Sequence, residues 1–185
     1  MEEKEVTMRK INFILSCMLF FILAVCSYPG FCDESLTNDQ KLIKVFEMYT
    51  EDKTNFPDVK DISPLEAMDK YNNGKVIFVD TRSWSERRIS MLPEAVTEKE
   101  FLKDPSKYKD LMIIAYCTIG YRSGEFAVEM TEKGTTVYNL KGGILAWTLE
   151  GGKIYDKKGE TLRVHVYKKK WNYAPEGYDA KMKWF

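Results

Sequence analysis

A chain of 185 residues is long enough for one domain with a real core plus a short appendage. Its 28 basic and 28 acidic side chains balance, and they still balance without residues 1–26, which hold three charges of each sign, so no domain-wide basic field exists to grip nucleic acid. One histidine and four cysteines, none in a zinc-type spacing, provide no metal cluster and imply no disulfide framework.

The N-terminus, residues 1–27, stands apart. No charged residue occurs from Ile11 to Cys32, and Met8-Arg9-Lys10 directly precedes that run. A positive segment followed by an apolar one is the pattern of an export signal, and Ala24-Val25-Cys26 or Val25-Cys26-Ser27 offers small residues for cleavage. Residues 1–7 are acidic and fit poorly before such a segment, which points to Met8 as the start. The stretch is also just long enough to span a bilayer of about 30 Å. Leu23-Ala24-Val25-Cys26 approaches a lipoprotein signal, although Val25 stands where a small residue is preferred. A cleaved signal ranks first, an uncleaved anchor second and a lipid anchor third. Each places the globular part in the periplasm or otherwise outside the cytoplasm, with membrane contact only through this segment. Cys17 and Cys26 go with the leader, leaving Cys32, in an exposed tail, and Cys117.

Residues 28–60 are expected to form a helical extension. Leu42, Ile43, Val45, Phe46 and Tyr49 recur at helical spacing between Asn38 and Lys53, behind a cap at Thr37 or Asn38, and Asn55-Phe56-Pro57-Asp58 breaks the pattern. The main domain is expected over 61–150. Ser63-Pro64-Leu65-Glu66 has the form of a capping-box helix start, and that helix ends near Asn72-Asn73-Gly74. Lys75–Asp80 and Leu111–Tyr116 read as apolar strands covered on both faces, and Thr135–Leu140 as a third strand. Met91 to Val96 reads as a short strand or turn, and helical segments fall at 97–103, 123–133 and 143–149. Alternating strands and helices predict an α/β fold with a parallel sheet flanked by helices. Ligands in such folds sit at the carboxyl ends of strands, where Asp80 and Cys117 both fall.

The segment 151–185 differs in kind. Lys153–Asp156, a turn at Lys157-Lys158-Gly159-Glu160, and Thr161–Tyr167 predict a β-hairpin with Leu162, Val164 and Val166 on one face and Arg163, His165 and Tyr167 on the other. Trp171, Tyr173, Tyr178 and Trp184 read as packing anchors, and Lys168-Lys169-Lys170 as a solvated strand end.

Cys117-Thr118-Ile119-Gly120-Tyr121-Arg122-Ser123 carries the chemistry. It joins an apolar strand to a helix, so backbone N–H groups and the positive end of the helix converge on one point. Such surroundings favour thiolate over thiol, which makes Cys117 a candidate nucleophile. Between Cys117 and Arg122 stand four residues.

The loop resembles the active-site loop of the rhodanese (sulfurtransferase) family, Cys-x-x-Gly-x-Arg between strand and helix. Two further stretches agree in order. Val76-Ile77-Phe78-Val79-Asp80-Thr81-Arg82 with Glu86 resembles the family's first strand, and Val137 to Trp147, with Gly142-Gly143, resembles its closing strand, turn and tryptophan-bearing helix. The resemblance covers Ile62 to Leu149. It implies a rhodanese-like fold and sulfur transfer without metal or organic cofactor. Cys117 would attack the outer sulfur of thiosulfate or a similar anion, forming a persulfide that a thiol, cyanide or a protein acceptor then discharges. In this reading Cys117 and Arg122 are catalytic; Thr118, Ile119, Gly120, Tyr121, Ser123 and Arg82 bind substrate; Asp80 and Glu86 brace the loop. Arg122 either faces substrate or pairs with Glu86, with bracing slightly favoured.

The chain departs from the family where Gly-His-Ile-x-Gly-Ala is common: Ser90-Met91-Leu92-Pro93-Glu94-Ala95 stands there instead, so any role of that histidine is absent. Arg87 and Arg88 are candidates for positive charge at the mouth, against a solvated helix face. Trp84 is a candidate pocket wall, against core packing. A cysteine phosphatase needs five residues between cysteine and arginine, one more than this loop has. A Cys–His hydrolase would need His165, which is expected on the exposed side of the hairpin. The remaining alternative is a binding module or carrier that holds sulfur or a partner on the same loop without turnover.

Overall fold

The structure, a computed structural model, describes residues 36–182. The leader, Cys17, Cys26, Cys32 and Trp184 lie outside the described residues. Among the described residues no helix is long and apolar enough to cross a membrane.

The N-terminal helix α1 (Asn38–Lys53) starts at Thr37, whose Oγ1 accepts the Gln40 N–H while its own N–H donates to Gln40 Oε1, a capping box. The order then runs β1 (Asp61–Ile62), α2 (Pro64–Asn72), β2 (Val76–Asp80), α3 (Trp84–Arg87), β3 (Val96–Thr97), α4 (Glu98–Lys103), β4 (Met112–Tyr116), α5 (Tyr121–Glu132), β5 (Tyr138–Leu140) and α6 (Gly143–Leu149). Strands β1 to β5 form one sheet in the order β1-β5-β4-β2-β3, with every pair parallel. The two-residue strand β1 is absent from the sequence expectation, being too short to carry a period. Ser63 caps α2 through its side chain, but Glu66 returns no bond to it, so the capping box is half made.

Side-chain alternation splits the strands between two cores. Phe78, Ile114, Tyr116 and Leu140 point to one face, against Leu145 and Trp147 of α6. Val79, Ile113 and Ala115 point to the other, against Phe126, Ala127 and Met130 of α5. Helix α1 contributes Val45 to the first and Tyr49 to the second. The β2–β4 register pairs Val76 with Met112 and Asp80 with Tyr116, so both strands end at one level.

After α6 come β6 (Ile154–Asp156) and β7 (Gly159–Thr161), an antiparallel hairpin turning at Lys157-Lys158, where the Asp156 carboxylate accepts the Lys158 N–H. The expected second arm, Thr161–Tyr167, does not continue the hairpin. Residues 163–165 form β8 and pair in parallel with β9 (Asp179–Lys181). The cause is burial: leaving Leu162 exposed, the chain turns to bury Val164 and Val166 completely in the first core. His165, expected at the surface, is 2% exposed, because β8 is covered on both sides. Met91 and Tyr155 exchange backbone hydrogen bonds of 2.8 and 2.9 Å, so the segment that departs from the family pattern anchors the hairpin. Trp171, Tyr173 and Tyr178 do pack on the first core.

Candidate active site

Strand β4 delivers Cys117 to the carboxyl end of the sheet, and the loop Cys117–Gly120 turns into α5. Gly120 sits at φ 115°, and a Cβ there would lie 2.5 Å from the Tyr49 ring, so only glycine makes this turn. The Gly120 N–H donates to Cys117 Sγ at 3.1 Å. The carbonyls are tied elsewhere: those of Cys117 and Thr118 accept from Ile144 and Leu145 N–H at 2.9 and 3.2 Å, at the start of α6. Gly143, at φ 57°, allows this approach, since its Cβ would stand 2.5 Å from the Cys117 oxygen. With its carbonyls held by the next helix, the loop offers the sulfur a hydrogen-bond donor, and the start of α5 adds its positive end.

A second layer fixes the loop from below. Asn139 of β5 donates through Nδ2 to the Gly120 carbonyl at 2.9 Å and accepts from Ser123 Oγ at 2.7 Å. The same amide lies 3.1 Å from Tyr49 Oη, which donates to Asp61 at 2.5 Å. Ser123, expected to bind substrate, is buried and braces the loop instead. Asn139 and Tyr49 were not expected at the site. An asparagine in an otherwise apolar buried strand was the available signal, since a buried amide requires partners.

Glu86 is fully buried beneath the loop and forms a two-pronged pair with Arg122, Nη1 to Oε2 and Nη2 to Oε1 at 2.8 Å each. Ser83 donates to Oε2 through its N–H and Oγ, at 2.9 and 2.7 Å, and Thr118 Oγ1 donates to Oε1 at 3.1 Å. Burial alone would push this carboxyl up; hydrogen bonds from Arg122 and Ser83 outweigh it and hold the group well below the usual carboxylate range. Burial likewise acts to lower Arg122, but the bonds to Glu86 and the nearby Cys117 sulfur push it up. Arg122 therefore ties the loop to Glu86 while also bordering the pocket. His165 brings Nδ1 to 4.0 Å from Glu86 Oε1 and accepts the Tyr167 N–H on the same nitrogen at 3.1 Å.

Asp80 and Arg82 form a separate buried unit. Arg82 Nε and Nη2 donate to Asp80 at 3.0 and 2.7 Å, Nη2 also reaches the Ser90 carbonyl at 2.6 Å, and Tyr116 Oη donates to Asp80 at 2.5 Å. Arg82 is 2% exposed and absent from the pocket wall, so it corrects the expectation of a substrate contact. An arginine two residues after an aspartate at a strand end satisfies that aspartate first. Trp84 neither walls the pocket nor joins the core: it is 65% exposed under the Arg88 guanidinium, 4.6 Å from its ring centre. Arg87 donates to the Arg82 carbonyl and borders a different hollow, so neither arginine charges the mouth.

Cys117, the cysteine among the described residues, lies at 2% exposure in a cavity of about 180 Å³. Thr118, Ile119, Tyr121 and Arg122 of the loop line it, with Asp52 of α1. The remaining wall is Tyr167, Lys168 and Trp171 of the C-terminal segment. Lys168 is thus not a strand end, and Trp171 is more than a packing anchor. Larger hollows elsewhere, of about 400 Å³ beside Arg87 and Glu98 and about 710 Å³ beside Lys60 and Lys109, are lined by no cysteine.

Residues 63–150 match the family described as Rhodanese-like domain. A curated relative, the tRNA sulfurtransferase of Desulfurococcus amylolyticus, is 34% identical over 95 residues, which is 47% of this chain and 19% of that protein. The chain thus spans about a fifth of that relative's length. Among solved structures, a rhodanese-like domain protein from Staphylococcus aureus is 26% identical with a TM-score of 0.45, covering 54% of this chain and 99% of that one. A thiosulfate sulfurtransferase from Pseudomonas aeruginosa is 16% identical with a TM-score of 0.47, covering 65% of this chain and 23% of that one.

Proposed function

We propose that the rhodanese-like domain formed by residues 63–150 works as a sulfurtransferase of the thiosulfate:cyanide type, carrying sulfur as a persulfide on Cys117. The Cys117 thiolate attacks the outer sulfur of thiosulfate or a similar anion. A bond forms between Sγ and that sulfur, the sulfur–sulfur bond of the donor breaks, and its electron pair leaves with sulfite. A thiolate, free or on a protein acceptor, or cyanide then attacks the outer sulfur of the persulfide; the bond from that sulfur to Sγ breaks, and its electron pair returns Cys117 to thiolate. No general base is required, since the nucleophile reacts as an anion in both halves of the cycle.

The observation that carries this reading is the orientation of the loop around Sγ: the Gly120 N–H faces the sulfur, while the Cys117 and Thr118 carbonyls are held away by α6. A donor aimed at sulfur stabilises the negative charge that alternates between thiolate and persulfide. The four-residue spacing to Arg122 and the cavity of about 180 Å³ suit a small sulfur anion better than a phosphorylated side chain. Balanced charge over the chain favours such a substrate over nucleic acid. The uncharged stretch from Ile11 to Cys32 supports a site of action outside the cytoplasm, and N-terminal sequencing of the exported protein tests that placement.

The function is tested by following thiocyanate release from thiosulfate and cyanide, with intact mass measured after thiosulfate alone. The active protein gains one sulfur atom and turns over; Cys117→Ser does neither. Stable loading without onward transfer indicates a carrier, and an absence of loading overturns the reading.

A further inference from the structure

The matched domain ends at residue 150, yet three side chains around the thiol come from beyond it. Tyr167 has φ 63°, and the Lys168 N–H donates to the Val166 carbonyl at 2.7 Å. An i to i+2 bond about a residue of positive φ is the rarer, strained form of γ-turn, disfavoured for any residue with a Cβ. The surroundings enforce it. Val166 is buried in the core and donates to the Lys181 carbonyl, and His165 Nδ1 accepts the Tyr167 N–H. The Tyr167 ring stacks on Trp171, with centres 5.2 Å apart and planes at 27°, and lies 5.4 Å from the Arg122 guanidinium. Lys168 Nζ is held over both rings, 5.2 and 5.3 Å from their centres. Strain maintained in this way at a pocket wall points to a binding role.

The charges indicate what is bound. Arg122 is matched by Glu86, whereas Lys168 forms no ion pair among the described residues. Asp52 is the carboxylate among the lining residues and disfavours an anion on its own side. We infer that the turn Tyr167–Trp171 is the donor-specificity element of the site. Lys168 binds the departing sulfonate end of a small thiosulfate-like dianion, and Tyr167 with Trp171 closes the wall around it. This rests on the sulfur-transfer reading of Cys117. As the donor's sulfur–sulfur bond breaks, its electron pair moves onto the sulfite fragment, so negative charge grows beside Lys168 during loading. Unloading to cyanide releases no such fragment.

The test uses the full chain and the two specificity constants of a double-displacement assay. In Lys168→Gln, kcat/KM for thiosulfate falls about tenfold, its salt dependence flattens, and kcat/KM for cyanide falls much less. Lys168→Arg restores most of the loss. Lys168 is exposed, so folding is preserved, and an unchanged urea midpoint verifies it. If both constants fall equally, or neither falls, while Cys117 still loads sulfur, the role of the turn is overturned and the sulfur-transfer reading stands. If the unmodified protein never loads sulfur from thiosulfate, both are overturned.

Discussion

Glu86 remains ionised without solvent contact because five hydrogen bonds from Arg122, Ser83 and Thr118 meet its two oxygens. Its carboxyl is depressed in the folded state, so it adds stability above the unfolded carboxylate value and loses that contribution as pH falls through the lower folded value. Stability should decline below roughly pH 4.3, and Glu86→Gln should flatten the decline. At neutral pH the same variant should lose about 2–4 kcal/mol, since it leaves the guanidinium half-buried and partly unmatched. Urea melts across pH test both statements. Gly120 is constrained differently, by a positive φ and by the Tyr49 ring. Gly120→Ala should cost about 2–3 kcal/mol and slow sulfur loading, because the amide facing Sγ shifts with the turn.

At the scale of elements, the decisive contact is helix α6 on the loop that precedes α5. Its first amides hold two carbonyls that would otherwise compete for the space around Sγ. Gly143→Ala should therefore impair loading more than it impairs folding, read as a larger loss in thiosulfate kcat/KM than the urea midpoint implies. The loop itself was legible in the sequence, since Cys117, Gly120 and Arg122 are local neighbours whose spacing reports the turn. The strands β2 and β4 were legible for a similar reason: apolar runs of four and five residues leave little choice in a parallel sheet. The Arg82 side chain answers Asp80, two residues before it, whereas Ser123 answers Asn139, 16 residues on, a buried partner that spacing does not reveal. Asn139 and Tyr49 join the site only through contacts between segments far apart in the chain. The register of 161–167 failed as a hairpin because alternation is silent on which strand lies alongside, and β9 begins 14 residues after β8 ends.

For the whole molecule, the C-terminal segment belongs to both the core and the site. Val164 and Val166 are completely buried, each contributing about 1.5–3 kcal/mol, so their loss alone is comparable with the stability of a small domain. A chain truncated after Glu150 should lack a cooperative thermal transition by circular dichroism, although the truncation spares the whole rhodanese-like domain. The helix α1 at the other end closes the same site with Asp52 and supports Gly120 through Tyr49. The cavity at Cys117 is thus lined from both sides of the matched residues 63–150.

The proposed function requires that Cys117 accept sulfur from a small donor. The most direct measurement is the intact mass of the full chain after brief incubation with thiosulfate and removal of excess reagent. Sulfur transfer through Cys117 predicts one added sulfur atom, located on Cys117 by fragmentation, removed by cyanide with release of thiocyanate, and absent from Cys117→Ser. An unchanged mass in the unmodified protein, or an added sulfur that persists in Cys117→Ser, would contradict it.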